Sequence, residues 1–141
     1  MVRFWDSSAV VPLLVEQGAS SRVAAWLADD PAVVVWTLMP VEVVSALRRL
    51  VREGGLEDEA ARLAESRLSE LVHASHVVVD VEPVKARATR LLRLHPLRAF
   101  DALQLGAAVH WAEGHPEGRS LHTLDGRLAL AARREGFLVP D

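Results

Sequence analysis

The chain has 141 residues, half of them hydrophobic, no cysteine, and a formal charge of −3. That size and composition predict one domain over 1–141 with a real core, and they exclude disulfide and thiol chemistry. No apolar run nears the 18 residues of a membrane span, no signal-peptide pattern is seen at the N-terminus, and the charge excludes a basic nucleic-acid coat. A cytoplasmic protein is therefore expected, since a chain without cysteine suits a reducing compartment. Arg outnumbers Lys fifteen to one. Codon bias accounts for most of that, because Asn, Ile and Tyr are also missing, although Arg does suit bidentate phosphate contacts.

Val2 to Trp5 is a short apolar run that ends in Asp6, and helical spacing follows. This predicts a buried strand, an acid at its C-terminal end, and a helix to about residue 16 capped by Ser7 or Ser8. Pro12 falls near the first turn of that helix, and Gln17-Gly18 closes it. Ser20-Ser21 is expected to cap a second helix with Val23, Trp26 and Leu27 on one face. After the turn Asp29-Asp30-Pro31, the β-branched run Val33-Val34-Val35-Trp36 predicts a strand buried on both faces.

Pro40 opens a helix that carries Glu42, Val43, Leu47 and Leu50 and stops at Gly54-Gly55. A long helix over 57–74 turns Ala61, Leu63, Ala64 and Leu68 inward. A third strand covers 77–81, and Pro83 opens a helix through Leu91, Leu92 and Leu94 that His95-Pro96 ends. The helix 98–111 is apolar nearly all round, which marks it as central. A strand over 120–124, the turn Asp125-Gly126, a helix 127–135 and a last edge strand at 137–139 complete the chain. Strands alternate with helices, so the predicted class is α/β, with a parallel sheet covered on both faces.

Four acids share one kind of position. Asp6 and Asp125 follow strands, and Glu42 and Asp101 lie in the first turns of helices. They are 36, 59 and 24 residues apart, yet a parallel sheet gathers such positions along one edge. Mg²⁺ and Mn²⁺ prefer carboxylate oxygens, and one or two such ions can activate water for attack on a phosphodiester. Each acid alone has a plainer role. Asp6 could cap a helix, Glu42 could answer a helix dipole, and Asp125-Gly126 could be a turn. Asp101 is hardest to dismiss amid Ala99, Phe100, Ala102 and Leu103, although Arg98 could be its partner.

These four blocks resemble the PIN-domain family of metal-dependent ribonucleases, and more closely the VapC-type toxins of toxin–antitoxin pairs. The residues that carry the resemblance are Phe4-Trp5-Asp6-Ser7-Ser8, Pro40-Val41-Glu42-Val43, Leu97-Arg98-Ala99-Phe100-Asp101, and Leu121-His122-Thr123-Leu124-Asp125. The resemblance implies a three-layer α/β/α fold with a short parallel sheet of four to five strands. It implies Mg²⁺ or Mn²⁺ held by Asp6, Glu42, Asp101 and Asp125, and hydrolysis of RNA. It also implies a cognate antitoxin protein as partner, and a homodimer. Such toxins often carry His or another polar residue at the position of Gln104, and some metal sites add a further acid nearby; Gln104 adds no charge, which leaves one ion or two.

Ser7 and Thr123 are candidates to support the acids, and Arg49 and Arg98 to hold substrate. Arg48 and Arg52 are expected to widen a basic patch around Arg49. Arg98 and Arg127 could hold a phosphate or balance the acids. The groove between helices 8–16 and 40–53 is the candidate antitoxin receptor. The six histidines have no zinc-site spacing. The four tryptophans are expected in the core or at an interface, with base stacking open only to one exposed beside the acids. Two other readings stand beside the toxin: an RNA-processing nuclease that is not a toxin, and a non-catalytic binding module on the same fold.

Overall fold

A computed structural model describes residues 3–141. Val2 lies outside them, and the first strand, β1, is Arg3–Trp5. It is followed by α1 (Ser7–Leu14), α2 (Ser20–Asp29), β2 (Val33–Trp36), α3 (Met39–Arg52), α4 (Asp58–His73), β3 (His76–Val78), α5 (Val81–Leu94), α6 (Ala99–Trp111), β4 (Ser120–His122) and α7 (Gly126–Glu135). The four strands make one parallel sheet in the order β3-β2-β1-β4. β1 lies inside it, with Phe4 opposite Val34 on one side and Leu121 on the other.

The order of the strands decides where the helices go. The chain steps from β1 to β2 to β3 in one direction, so right-handed crossovers put α1 to α4 on one face. It then returns past β1 to reach β4, and the reversed step puts α5 and α6 on the other face. The packing agrees: α1 touches α2, α3 and α4, while α6 touches α5, α7 and β2. The result is a three-layer α/β/α fold. The reversal of strand order also creates a crevice beyond the C-terminal ends of β1 and β4, the usual place for a ligand in an open parallel sheet.

Burial follows the apolar pattern. β2 is buried along its whole length, and in α6 Ala102 and all residues from Gln104 to Val109 are buried. Leu63, expected inward, is exposed, as are Leu92 and Leu94 on the helix expected to open at Pro83. Their helices lie at the outside of the layers, so a narrower apolar stripe suffices.

The ends of elements depart from expectation in ways that local chemistry explains. The strand expected over 137–139 reduces to one bridge between Ser120 and Leu138. Pro140 has no N–H with which to extend that ladder. Pro12 lies well inside α1 rather than in its first turn. Ser20 does not cap α2; its hydroxyl donates to the carbonyl of Pro12 at 2.8 Å and ties α2 to α1.

Helices α5 and α6 meet at Gly106. A Cβ there would sit 3.0 Å from the Val84 carbonyl oxygen and 3.1 Å from the Ala88 nitrogen. Both are backbone atoms, which cannot swing aside. Gly106→Ala is therefore expected to lower stability by about 1–3 kcal/mol through overpacking, despite the better helix propensity of Ala. Urea unfolding at fixed m-value checks this, and an unchanged midpoint would contradict it.

Candidate active site

Asp6 is the buried corner of the site. Its backbone N–H donates to the His122 carbonyl at 2.9 Å, which fixes the end of β1 against the end of β4. Its side chain caps α1 by accepting from the Ser8 N–H. The capping role expected of Ser7 or Ser8 thus belongs to Asp6, because the extended backbone before the helix falls at residue 6. The hydroxyls serve the carboxylate instead. Ser8 Oγ donates to Asp6 Oδ2 at 2.6 Å and Thr123 Oγ1 at 2.8 Å, while Ser7 Oγ reaches Oδ1 at 3.3 Å. Burial nevertheless raises the Asp6 pKa, and these hydrogen bonds only partly offset it.

Glu42 projects from the first turn of α3, half-buried. Burial raises its pKa first and the Asp6 charge second. Ser7 and Gln104 lie close enough to favour the anion. Even so, the buried Glu42 Oε2 and both amide atoms of Gln104 have no regular hydrogen-bond partner. Asp101, in the first turn of α6, is raised by burial, then by Asp125, and further by Asp6. Arg98 does partner Asp101, by a hydrogen bond from its backbone N–H at 3.3 Å and by the charge of its guanidinium. Asp125 caps α7, with Oδ1 accepting from the N–H groups of Arg127 and Leu128 at 2.9 and 3.0 Å.

The four acids therefore meet electrostatically. Asp6, Asp101 and Asp125 each retain a local structural bond as well. Glu42, Asp101 and Asp125 line one cleft of about 1100 Å³, with Ser45, Phe100, Arg49, Arg98 and Arg127 around them. Asp6 lies beneath, coupled by charge to Glu42 and Asp101. Among the described residues no three carboxylate or imidazole groups stand close enough to enclose one ion. The donor chemistry still suits a hard cation, because all four acids offer oxygen ligands and the neighbouring anions raise the pKa of Glu42 and Asp101. Glu42 Oε2 among them has no regular hydrogen-bond partner, and the Gln104 amide oxygen is a further such acceptor.

Other expected residues fall differently. Arg49 lines the cleft, but Arg48 does not; it is paired with Asp58 and Glu65 of α4. One helical position turns its side chain from the cleft to the neighbouring helix. Arg52 is exposed and outside the cleft. Helices α1 and α3 pack on each other, so the open cleft lies between α3 and the N-termini of α6 and α7, not between α1 and α3. The sequence marks Ser8 only as a cap. Its hydroxyl also accepts from the Leu124 N–H at 2.8 Å, and no local pattern distinguishes that role from capping.

The PIN domain family model matches residues 3–133. No curated protein matches the sequence. Among solved structures, FitAcB from Neisseria gonorrhoeae is similar with a TM-score of 0.68 and 18% identity, over 100% of this chain and 97% of that one. PAE2754 from Pyrobaculum aerophilum gives 0.67 and 20%, over 98% and 89%. VapC20 from Mycobacterium tuberculosis, described as a sarcin–ricin loop cleaving toxin, gives 0.67 and 19%, over 96% and 95%. At these identities the likeness to solved structures is one of fold.

Proposed function

The chain belongs to the PIN-domain family, and from that premise we propose that residues 1–141 form a single metal-dependent endoribonuclease domain, the toxin of a toxin–antitoxin pair. The observation that supports this best is the coupled set of carboxylates at the switch point of the sheet, in a cleft rimmed by arginines. The charges of neighbouring acids raise the pKa of Glu42 and Asp101, a repulsion that a bound cation would relieve. Among the described residues no helix is long and apolar enough to cross a membrane. We place the protein in the cytoplasm, with its RNA.

In this proposal Asp6, Glu42, Asp101 and Asp125 hold Mg²⁺ or Mn²⁺. The cation would neutralise phosphate charge and make water more acidic at neutral pH. Thr123 and Ser8 fix the rotamer of Asp6 through their hydrogen bonds. Arg49, Arg98 and Arg127 would bind the phosphates on either side of the scissile one, as guanidinium groups do well. Ser45 on the cleft wall leaves room for the backbone. Hydrolysis would leave a 5′-phosphate and a 3′-hydroxyl. The proposal includes a cognate antitoxin that covers this cleft, and a homodimer. The likeness in fold to VapC20 favours the toxin over a processing nuclease.

Incubation with single-stranded RNA tests the reading. Cleavage is expected with Mg²⁺ or Mn²⁺ and none with excess chelator; cleavage undiminished by chelator would refute the metal site. Adding Mn²⁺ should also raise the melting temperature, since the ion binds the folded state alone. The gain is about 2.7 kcal/mol when the ion is at a hundred times its dissociation constant. A melting temperature indifferent to millimolar Mn²⁺ would favour the non-catalytic binding module.

A further inference from the structure

A second cavity of about 180 Å³ lies beside the acidic cleft and shares Asp125 and Gly126 with it. A Cβ at Gly126 would meet nothing within 4 Å, so the ridge between the two cavities is bare and an extended chain could cross it. The new cavity is lined by Arg22, Trp26 and Arg133.

Trp26 lines this cavity next to the acids. One face of its ring stacks on His122, with centroids 4.6 Å apart and planes within 12°. The exposed Arg22 guanidinium lies over the ring, 5.8 Å from its centroid. Arg22 forms no ion pair with any carboxylate among the described residues. Trp26 thus carries an unpaired cation over its ring, and His122 backs that ring. Arg133 Nη2 donates to the Val139 carbonyl and to Asp141 Oδ1, both at 3.1 Å. Asp141 is fully exposed, so that surface pair is weak and can exchange for a phosphate.

We propose that this cavity is a nucleotide subsite: RNA that crosses Gly126 from the acidic cleft sets a backbone phosphate between Arg22 and Arg133 and packs a base against the Arg22–Trp26 stack. Stacked arginine and tryptophan accept any base, and guanidinium groups accept any phosphate, so the subsite adds affinity rather than sequence choice. An acidic protein segment would satisfy the charge but would leave the stack without a flat partner. The inference rests on the ribonuclease reading and deepens it.

The test compares Arg22→Glu, Arg22→Lys and, as a control of equal charge change, Arg67→Glu on α4 outside both cavities. Arg22 is exposed and absent from the buried core, so its reversal leaves the core intact. On a fluorescent single-stranded RNA octamer with Mg²⁺, Arg22→Glu should raise KM about tenfold and change kcat less than twofold. Arg22→Lys should recover part of the loss, and Arg67→Glu should match the wild type. Anisotropy of the same octamer in chelator reads binding without cleavage. There Arg22→Glu should weaken affinity about tenfold and reduce the salt slope by about 0.7, the share of one neutralised phosphate.

Unchanged KM and unchanged RNA affinity in Arg22→Glu would overturn the subsite. So would loss of binding only to an eight-residue polyglutamate peptide, which would mark a protein-binding cavity. A wild-type protein that binds the octamer through Arg22 yet never cleaves it would instead overturn the ribonuclease reading and leave the subsite standing.

Discussion

Asp6→Asn is expected to lose RNA cleavage by at least ~10²–10³-fold, the scale seen when one preorganised charge-stabilising group is removed, while the protein melts at the same temperature or higher. The two halves of this result have one cause. Burial raises the Asp6 pKa, so its ionised form opposes folding at every pH above that raised value. Its contribution to stability improves as pH falls through the folded value toward the ordinary 3.8. Asn carries no charge and caps a helix as well as Asp does. It therefore relieves the repulsion with Glu42 and Asp101 and keeps the hydrogen bond from the Ser8 N–H. Asp101→Asn should behave alike, with a smaller gain because Asp101 is only half-buried. Assays of cleavage and thermal melting on the same preparations check both halves. Full activity in either variant would refute the assignment of these acids to the metal site.

The second large effect is a loss of stability in mild acid that belongs to His122. This side chain is fully buried on β4, against Trp5 and Trp26 at 4.7 and 4.6 Å. Arg3 Nη1 stands 3.4 Å from its Nε2. Burial first and the Arg3 charge second push its pKa down to about 4 from 6.5. A histidine that resists protonation in the folded state contributes fully above pH 6.5. The contribution is lost as pH falls from 6.5 to about 4, because the unfolded chain takes up a proton there and the folded one does not. Over that window the loss amounts to about 3 kcal/mol. Asp6, Glu42 and Asp101 act with the opposite sign, so the histidine is isolated by difference. His122→Phe keeps a ring against the tryptophans and should remove most of the decline between about pH 6.5 and about pH 4.5. Equal declines in the variant and the wild type would dismiss this account. Because the His122 carbonyl holds the Asp6 N–H, acid that loosens β4 also loosens the corner of the candidate site.

Much of the site is legible in the chain because its acids lie at junctions that period and composition mark well. Asp6 follows a run of buried residues, and Asp125 precedes a glycine where a helix begins. Asp101 stands in an otherwise apolar segment. The alternation of strand and helix is enough to place all four at one edge without any knowledge of packing. The capping of α1 is not legible, because Asp, Ser and Ser in succession can each cap, and only the backbone angles at Asp6 select one. Arg48 and Arg49 are neighbours in sequence, and no local signal says which faces the cleft. α4 decides, by offering Asp58 and Glu65 to Arg48.

The sequence by itself determined the class of fold and the central place of α6, and it marked four acids as candidates. The first two follow from hydrophobic period, and Asp101 among the acids from the cost of a carboxylate in apolar surroundings. Only the tertiary structure decided which arginines enter the cleft, that Ser8 and Thr123 converge on Asp6 from positions 115 residues apart, and that Arg22, Trp26 and His122 stack beside the acids. Those contacts join α1, α2, β1 and β4, and their partners are chosen by strand order and helix packing, which leave no local trace in the chain.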